Sequence, residues 1–253
     1  MENRLRAVEI VFFISLFLVI LLSFLPLFNV YIHNSVYQFV YLLAEIIGLL
    51  FALVYLLKMD RSQSFWLGWL FIVVGLVSYL LGDFLSFLRE ENISEIFKIF
   101  SFIFDIVGLL LFIVFIGNSL RLRLTFNENF LLVINSLLLF LLILQVGFLP
   151  VILNRAYSVW DKVTNIIYLI ENYILLVLFM ILFLTITTHF WGGEIARNYY
   201  LLTLGISLLS LSSLIFYFVL GGYNVFNLDR IIYLGAYLVI AYAVVKEGEM
   251  HIV

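Results

Sequence analysis

The chain has 253 residues, of which 66% are hydrophobic and 11% charged, with a formal net charge of -3. An average soluble domain is roughly 45–50% apolar and about 25% charged, and a fold of this size has too little interior to hide the excess. The composition excludes an ordinary soluble enzyme, a nucleic-acid binder and a disordered chain, and places the protein in a lipid bilayer.

A helix needs about 20 mostly apolar residues to cross roughly 30 Å of hydrocarbon. Eight segments meet this, near 7–27, 34–57, 65–88, 96–117, 130–152, 164–190, 199–220 and 230–246. The apolar residues run on without alternating, so the spans read as helices rather than barrel strands. Short polar breaks separate them, among them Asn29–Asn34, Arg61–Ser64, Arg89–Asn92, Arg121–Asn129, Asn154–Lys162, Gly192–Asn198 and Gly221–Asp229. The first span has the basic start of a signal peptide in Arg4 and Arg6. Its apolar run is too long, Glu9 interrupts it, and Ser23–Val30 carries no small-x-small cleavage pattern, so it reads as a retained span. Basic residues are expected to favour the cytoplasmic loops. With the N-terminus inside, Arg4, Arg6, Lys58, Arg61, Arg121, Arg123, Arg197 and Lys246 fall on the inner side. Arg89, Lys98, Arg155, Lys162 and Arg230 fall on the outer side. The expected location is therefore the cell membrane, with both termini cytoplasmic.

The two halves echo one another. Phe24-Leu25-Pro26 closes the first span and Phe148-Leu149-Pro150 the fifth, and these are the only prolines. Gly68, Gly75 and Gly82 recur every seven residues in the third span, as do Asn198, Gly205 and Ser212 in the seventh. Aromatic pairs open both of these spans, and an acid, Glu95 or Asp229, precedes the next one. This patterning predicts an all-α polytopic membrane protein of eight transmembrane helices. Its halves, 1–123 and 124–253, would form a four-plus-four parallel pseudo-repeat about an axis along the membrane normal. Residues seven apart share one helix face, and small ones there admit a neighbouring backbone. Gly68, Gly75, Gly82, Gly205 and Ser212 are therefore expected at helix contacts. Pro26 and Pro150 are expected to kink or end their helices.

Ionisable groups in hydrocarbon usually face a partner or a cavity. Glu45 lies near the middle of the second span and Asp105 near the middle of the fourth, with no Lys or Arg at their depth. They are expected to be protonated, or to sit beside water or a cation. Together with Glu171, Gln145 and His189 they form a candidate intramembrane polar site. It would be a proton or cation path, the floor of a ligand pocket, or a set of neutral carboxyl groups bonded to nearby hydroxyls and carbonyls. Asp83, Glu95, Glu171 and Asp229 lie toward the outer face with its five basic residues. They would ring a vestibule or stand as solvated helix ends.

Several chemistries are missing. The chain has no Cys, which excludes disulfides, Cys-ligated zinc, iron–sulfur clusters and a thiol nucleophile. No HExxH, P-loop or dinucleotide fingerprint occurs. His33 and His189 belong to opposite sides and do not suit one haem. Gly82-Asp83 and Phe104-Asp105 lack the full motif and order of an intramembrane aspartyl protease. No cofactor, metal, nucleic acid or catalysis is expected.

Trp69, Gly75 and Gly82-Asp83 share one helix, while Asp229, Tyr233, Gly235 and Tyr237 open another. This pattern resembles the multi-pass membrane sensor regions that precede histidine-kinase and diguanylate-cyclase output domains in archaeal and bacterial signalling proteins. Two features differ. The tryptophan helix lies in the first half and the tyrosine helix in the second, and Asp229-x3-Tyr233 is one residue longer than the usual spacing. The resemblance implies a sensor. With no output domain after the last span, its signal is expected to pass to a separate partner, unless the chain is part of a longer protein. A sensor, interaction module or accessory subunit, with the bilayer and a protein partner or second copy around it, is thus the first expectation. A small-ion or small-solute transporter or channel built on the midplane carboxylates is the alternative.

Overall fold

The computed structural model describes residues 2–24, 34–61, 64–120, 124–189, 194–218 and 228–250, and no strand occurs among them. The helices are α1 (Glu2–Phe24), α2 (Asn34–Leu56), α3 (Ser64–Phe87), α4 (Glu91–Leu120), α5 (Phe126–Ile143), α6 (Leu149–Leu153), α7 (Val159–His189), α8 (Glu194–Phe218) and α9 (Leu228–Met250). A π-helical turn, Leu144–Phe148, joins α5 to α6. Among the described residues, six stretches are long and apolar enough to cross a bilayer: Val36–Leu56, Phe65–Phe87, Glu91–Asn118, Phe126–Leu153, Val159–Thr187 and Arg230–Glu249. The expected first and seventh spans correspond to α1 and α8, which are helical but stand outside these six.

Phe13, Phe17, Leu50, Leu57, Val114, Leu137 and many other large apolar side chains are exposed on the bundle's outside. A protein in water rarely shows so wide an apolar surface, whereas hydrocarbon tails accept it. The interior holds Trp69, Phe112, Tyr237, Ile72 and Leu202, all fully buried. Lipid gives no hydrophobic drive between helices, so close packing must hold them together. The glycine stripe of α3 supplies this. A Cβ on Gly68 would lie 2.6 Å from Phe112, one on Gly75 3.2 Å from the Ser101 carbonyl oxygen, and one on Gly82 3.1 Å from that of Ser94. Ser94, Ser101 and Gly108 repeat the seven-residue step on α4, and a Cβ on Gly108 would meet the Gly68 carbonyl oxygen at 3.0 Å. Two antiparallel stripes of small residues therefore let α3 and α4 lie backbone to backbone. Gly205 does the same for α8 on α9, where its Cβ would lie 3.2 Å from the Ala236 carbonyl oxygen.

Going round the bundle, α2 packs on α3, α3 on α4, α4 on α7, α7 on α8, α8 on α9 and α9 back on α2. α1 lies against α2 and α9, and among the described residues α5 lies against α7 and its own π turn. Two thirds of Arg230–Glu249 is buried, the largest share among the six stretches, and its mean hydropathy of 1.5 is the lowest. Both follow from one cause: α1, α2, α3 and α8 keep α9 out of the lipid.

Short links fix the turns. Arg89 has a φ of 66°, and Glu90 N–H bonds the Leu85 carbonyl at 2.9 Å while Arg89 N–H bonds that of Ser86 at 3.0 Å. This closes α3 with a left-handed residue and turns the chain straight into α4. Thr125 and Glu128 cap α5 reciprocally, with the Thr125 N–H to Glu128 Oε2 bond 2.6 Å long. Ser158 and Asp161 do the same for α7, where Asp161 N–H donates to Ser158 Oγ at 3.1 Å. These caps explain why α7 begins at Val159, ahead of the purely apolar run. Pro150 follows the π turn, and its helix ends within one turn of it, at Leu153. Pro26 lies outside the described residues.

Candidate ligand-binding site

Four helices carry polar or aromatic stripes at helical spacing: Gln38, Tyr41 and Glu45 on α2; Tyr79, Asp83 and Ser86 on α3; Glu95, Lys98 and Asp105 on α4; Arg230, Tyr233 and Tyr237 on α9. Spacings of three, four and seven put each set on one face. The fold turns these faces toward one another at the end of the bundle carrying the α3–α4 turn. They enclose a cavity of about 370 Å³, lined from α2 by Gln38, Tyr41 and Leu42, from α3 by Tyr79, Asp83, Ser86 and Phe87, and from α4 by Glu95, Lys98 and Phe102. Tyr168 of α7, Ser212 of α8, and Arg230 and Tyr233 of α9 complete the wall.

The contacts inside are specific. Lys98 Nζ lies 2.6 Å from Asp83 Oδ1 and 5.5 Å from the centre of the Tyr79 ring. That ring stacks on Tyr233, with centroids 4.0 Å apart and planes 16° from parallel. The Tyr168 hydroxyl donates to the Glu95 carbonyl at 3.2 Å, which ties α7 to α4. The Tyr237 hydroxyl donates to the Leu76 carbonyl at 3.3 Å, one turn deeper than Tyr233. Glu45, one turn below Tyr41, is 0% exposed. The Tyr41 hydroxyl and the Asp83 carboxyl stand close enough to interact with it by hydrogen bonding, and Asp83 and Lys98 act on it through charge. Asp105, one turn below Phe102, is 2% exposed and its Oδ1 is without a hydrogen bond. That oxygen lies against Gly75, where a Cβ would stand 2.5 Å from it. The stripe glycine thus makes room for a carboxyl group as well as for a helix.

Beneath these groups the interior closes. Trp69 packs edge-on to Phe112 at 4.9 Å and stacks on Tyr199 at 6.1 Å, and Phe65 joins the same layer at 5.8 Å from Tyr199. A second, smaller cavity of about 140 Å³ lies between α4 and α7 near Gly117 and is lined mostly by apolar side chains, with Thr185 among them. At the far end from the main cavity a second polar set appears. Asn198 Nδ2 donates to Glu247 Oε2 at 2.9 Å, the Tyr55 hydroxyl donates to Glu249 Oε1 at 3.4 Å, and the Tyr242 hydroxyl donates to Glu9.

Of the residues singled out from sequence, Glu45 and Asp105 fall below the cavity, while Asp83, Glu95, Lys98 and Arg230 line it as a vestibule would. Glu171 is buried one turn along α7 from Tyr168, and its Oε2 has no hydrogen bond. Gln145 sits in the π turn and faces outward, as does Asn135 of α5, so neither joins Glu45. The side chains of His189 and Asp229, and the whole of His33, lie outside the described residues. Lys162 Nζ donates to the Ile152 carbonyl at 3.0 Å and closes the end of α6 instead of facing the cavity. Gly68, Gly75, Gly82 and Gly205 all stand at helix contacts, and Ser212 is buried at the cavity wall. Tyr41, Tyr79 and Tyr168 were not singled out from sequence, and Tyr233 entered only through the sensor resemblance. Their spacing to Glu45, Asp83, Glu171 and Arg230 on the same helices was the available signal. No group of three or more potential metal ligands occurs among the described residues. Comparison with protein-family models, with curated proteins and with solved structures finds no match to this chain.

Proposed function

We propose that this chain is an integral membrane sensor and interaction module. It receives a small outer-side cue in the cavity and works through a partner, with no catalysis of its own. The carrying observation is the cavity of about 370 Å³, a volume suited to a small ligand, into which six helices turn polar and aromatic side chains. The resemblance to sensor regions supports the reading, because Asp83 of the tryptophan helix and Tyr233 of the tyrosine helix meet at this cavity. With the cavity outside, both termini are cytoplasmic and the chain crosses the cell membrane eight times. The neighbour pattern supports the four-plus-four repeat: α1 on α2, α2 on α3 and α3 on α4 are matched by α5 on α7, α7 on α8 and α8 on α9, and α2 on α9 by α7 on α4.

The partner is a second copy, met through α5. Asn135, Leu138, Leu142 and Gln145 repeat at a three-four-three spacing and are all exposed. Polar side chains facing lipid are costly, and Asn, both donor and acceptor, satisfies itself across a pair of identical helices. Asn135→Leu is expected to weaken dimerisation in detergent roughly tenfold, read by sedimentation across a concentration series. A wild-type chain that stays monomeric throughout removes this contact.

Because the chain has no Cys, single cysteines report accessibility without background. Gln38→Cys and Ser86→Cys are expected to react with a membrane-impermeant maleimide added outside, and Val73→Cys and Ile206→Cys to stay unlabelled. Equal protection of all four would remove the binding site. The transporter reading draws on Glu45 and Asp105 below the cavity. It requires flux in reconstituted vesicles that drops in Glu45→Gln or Asp105→Asn, and labelling of Tyr199→Cys from the inner side.

A further inference from the structure

We propose that the main-chain carbonyl of Gln145 docks a second copy of this chain, accepting a hydrogen bond from the carboxamide of Gln145 of the partner subunit while its own carboxamide donates back. The inference rests on the reading of α5 as the contact between copies and supplies the bond that locks that contact.

The π turn and the proline after it leave this carbonyl without a donor. An α-helical carbonyl is served by the N–H four residues on, and a π-helical one by the N–H five residues on. For Gln145 these belong to Leu149 and Pro150. The Leu149 N–H is spent on the Leu144 carbonyl, and proline has no N–H. Past the proline the α register resumes, with the Asn154 N–H donating to the Pro150 carbonyl at 3.0 Å. The Gln145 carbonyl is thus skipped where the two registers meet, and no side chain among the described residues donates to it.

Its surroundings are hydrocarbon. Leu144, Val146, Leu149 and Leu153 are all exposed, and Phe126–Leu153 is the least covered of the six stretches, with 17% buried. An unserved backbone group in lipid costs several kcal/mol, and irregular backbone at this depth persists only against protein or a water-filled cavity. Gln145 is itself exposed, and its carboxamide adds two N–H donors and an acceptor. A second copy is the occupant that matches these groups. Contact about a twofold axis along the membrane normal sets identical residues at one depth, so each copy brings the donor that the other lacks. Residues 138, 142, 145 and 149 step by four, three and four along one edge of the helix, which makes the bond continuous with the Asn135–Leu142 seam. A lipid tail has no donor to offer.

The test uses the full-length chain in detergent and reads self-association by sedimentation across a concentration series, with monodisperse elution and circular dichroism checking each fold. Gln145→Leu, which removes the donor, is expected to weaken dimerisation roughly tenfold. Pro150→Ala, which returns an N–H at residue 150 and serves the carbonyl within its own helix, is expected to weaken dimerisation by a similar factor while leaving the helix intact or firmer. The double variant should lose little more than either single one, because both break the same bond. A wild-type chain that stays monomeric overturns the α5 contact itself, and this bond with it. A wild-type dimer that Asn135→Leu weakens but Pro150→Ala does not overturns the carbonyl bond alone and leaves the α5 contact standing. So do losses that add in full in the double variant.

Discussion

Trp69→Ala should destabilise the protein by about 3 kcal/mol and lower its unfolding temperature in detergent by about 10 °C. Trp69 is 0% exposed, and its ring touches α4 through Phe112 and α8 through Tyr199. The loss has a particular origin here. In lipid the unfolded reference is itself apolar, so removing the ring forfeits dispersion contacts more than it forfeits hydrophobic transfer. The cost therefore falls toward the lower end of the range for a deleted aromatic in a water-soluble core. Thermal unfolding of purified variant and wild type gives the comparison. A shift under about 2 °C would mean that the layer below the cavity does not hold α3, α4 and α8 together.

Gly75→Leu is expected to cost about 3 kcal/mol by the opposite route, overpacking. Its first carbon would stand 2.5 Å from Asp105 Oδ1 and 3.2 Å from the Ser101 carbonyl oxygen. The carboxyl group can swing away but the α4 backbone cannot, so the helices must part. Gly235→Ala supplies the contrast. Nothing lies within 4 Å of its added carbon, and a helix-interior alanine in place of glycine should be neutral or stabilising by up to about 1 kcal/mol. Equal losses in the two variants would show that close approach of α3 to α4 is not what the glycine stripe provides.

How much of this was readable in advance varies from element to element. Apolar run length located α2 and α3 to within a residue at each end, because the bilayer imposes a length on any crossing helix. It placed the starts of α4 and α7 about five residues late, since acids in the first turn, Glu91 in α4 and Asp161 in α7, end an apolar run but not a helix. The glycine stripe of α3 was plain, while its counterpart Ser94, Ser101 and Gly108 was visible but unused. The candidate polar set was legible only as single residues. Glu45 and Asp105 could be read as buried from their depth, yet depth gives no azimuth, so Gln145 on an outward face looked equivalent to them. The cavity depends on α9 lying beside α2 and α3, far away in sequence. No local pattern carries that information. It arises from how the helices pack around α9.

The sheltered position of α9 has a mechanical side. Tyr233 near its start forms the cavity wall, and Glu247 and Glu249 near its end hold Asn198 of α8 and Tyr55 of α2. A helix is stiff along its axis, and these two regions are about 20 Å apart at 1.5 Å per residue. On the proposed sensor reading, a displacement of the tyrosine end would therefore carry along the helix axis, as in a pushrod, to the Asn198–Glu247 bond at the other end of the bundle.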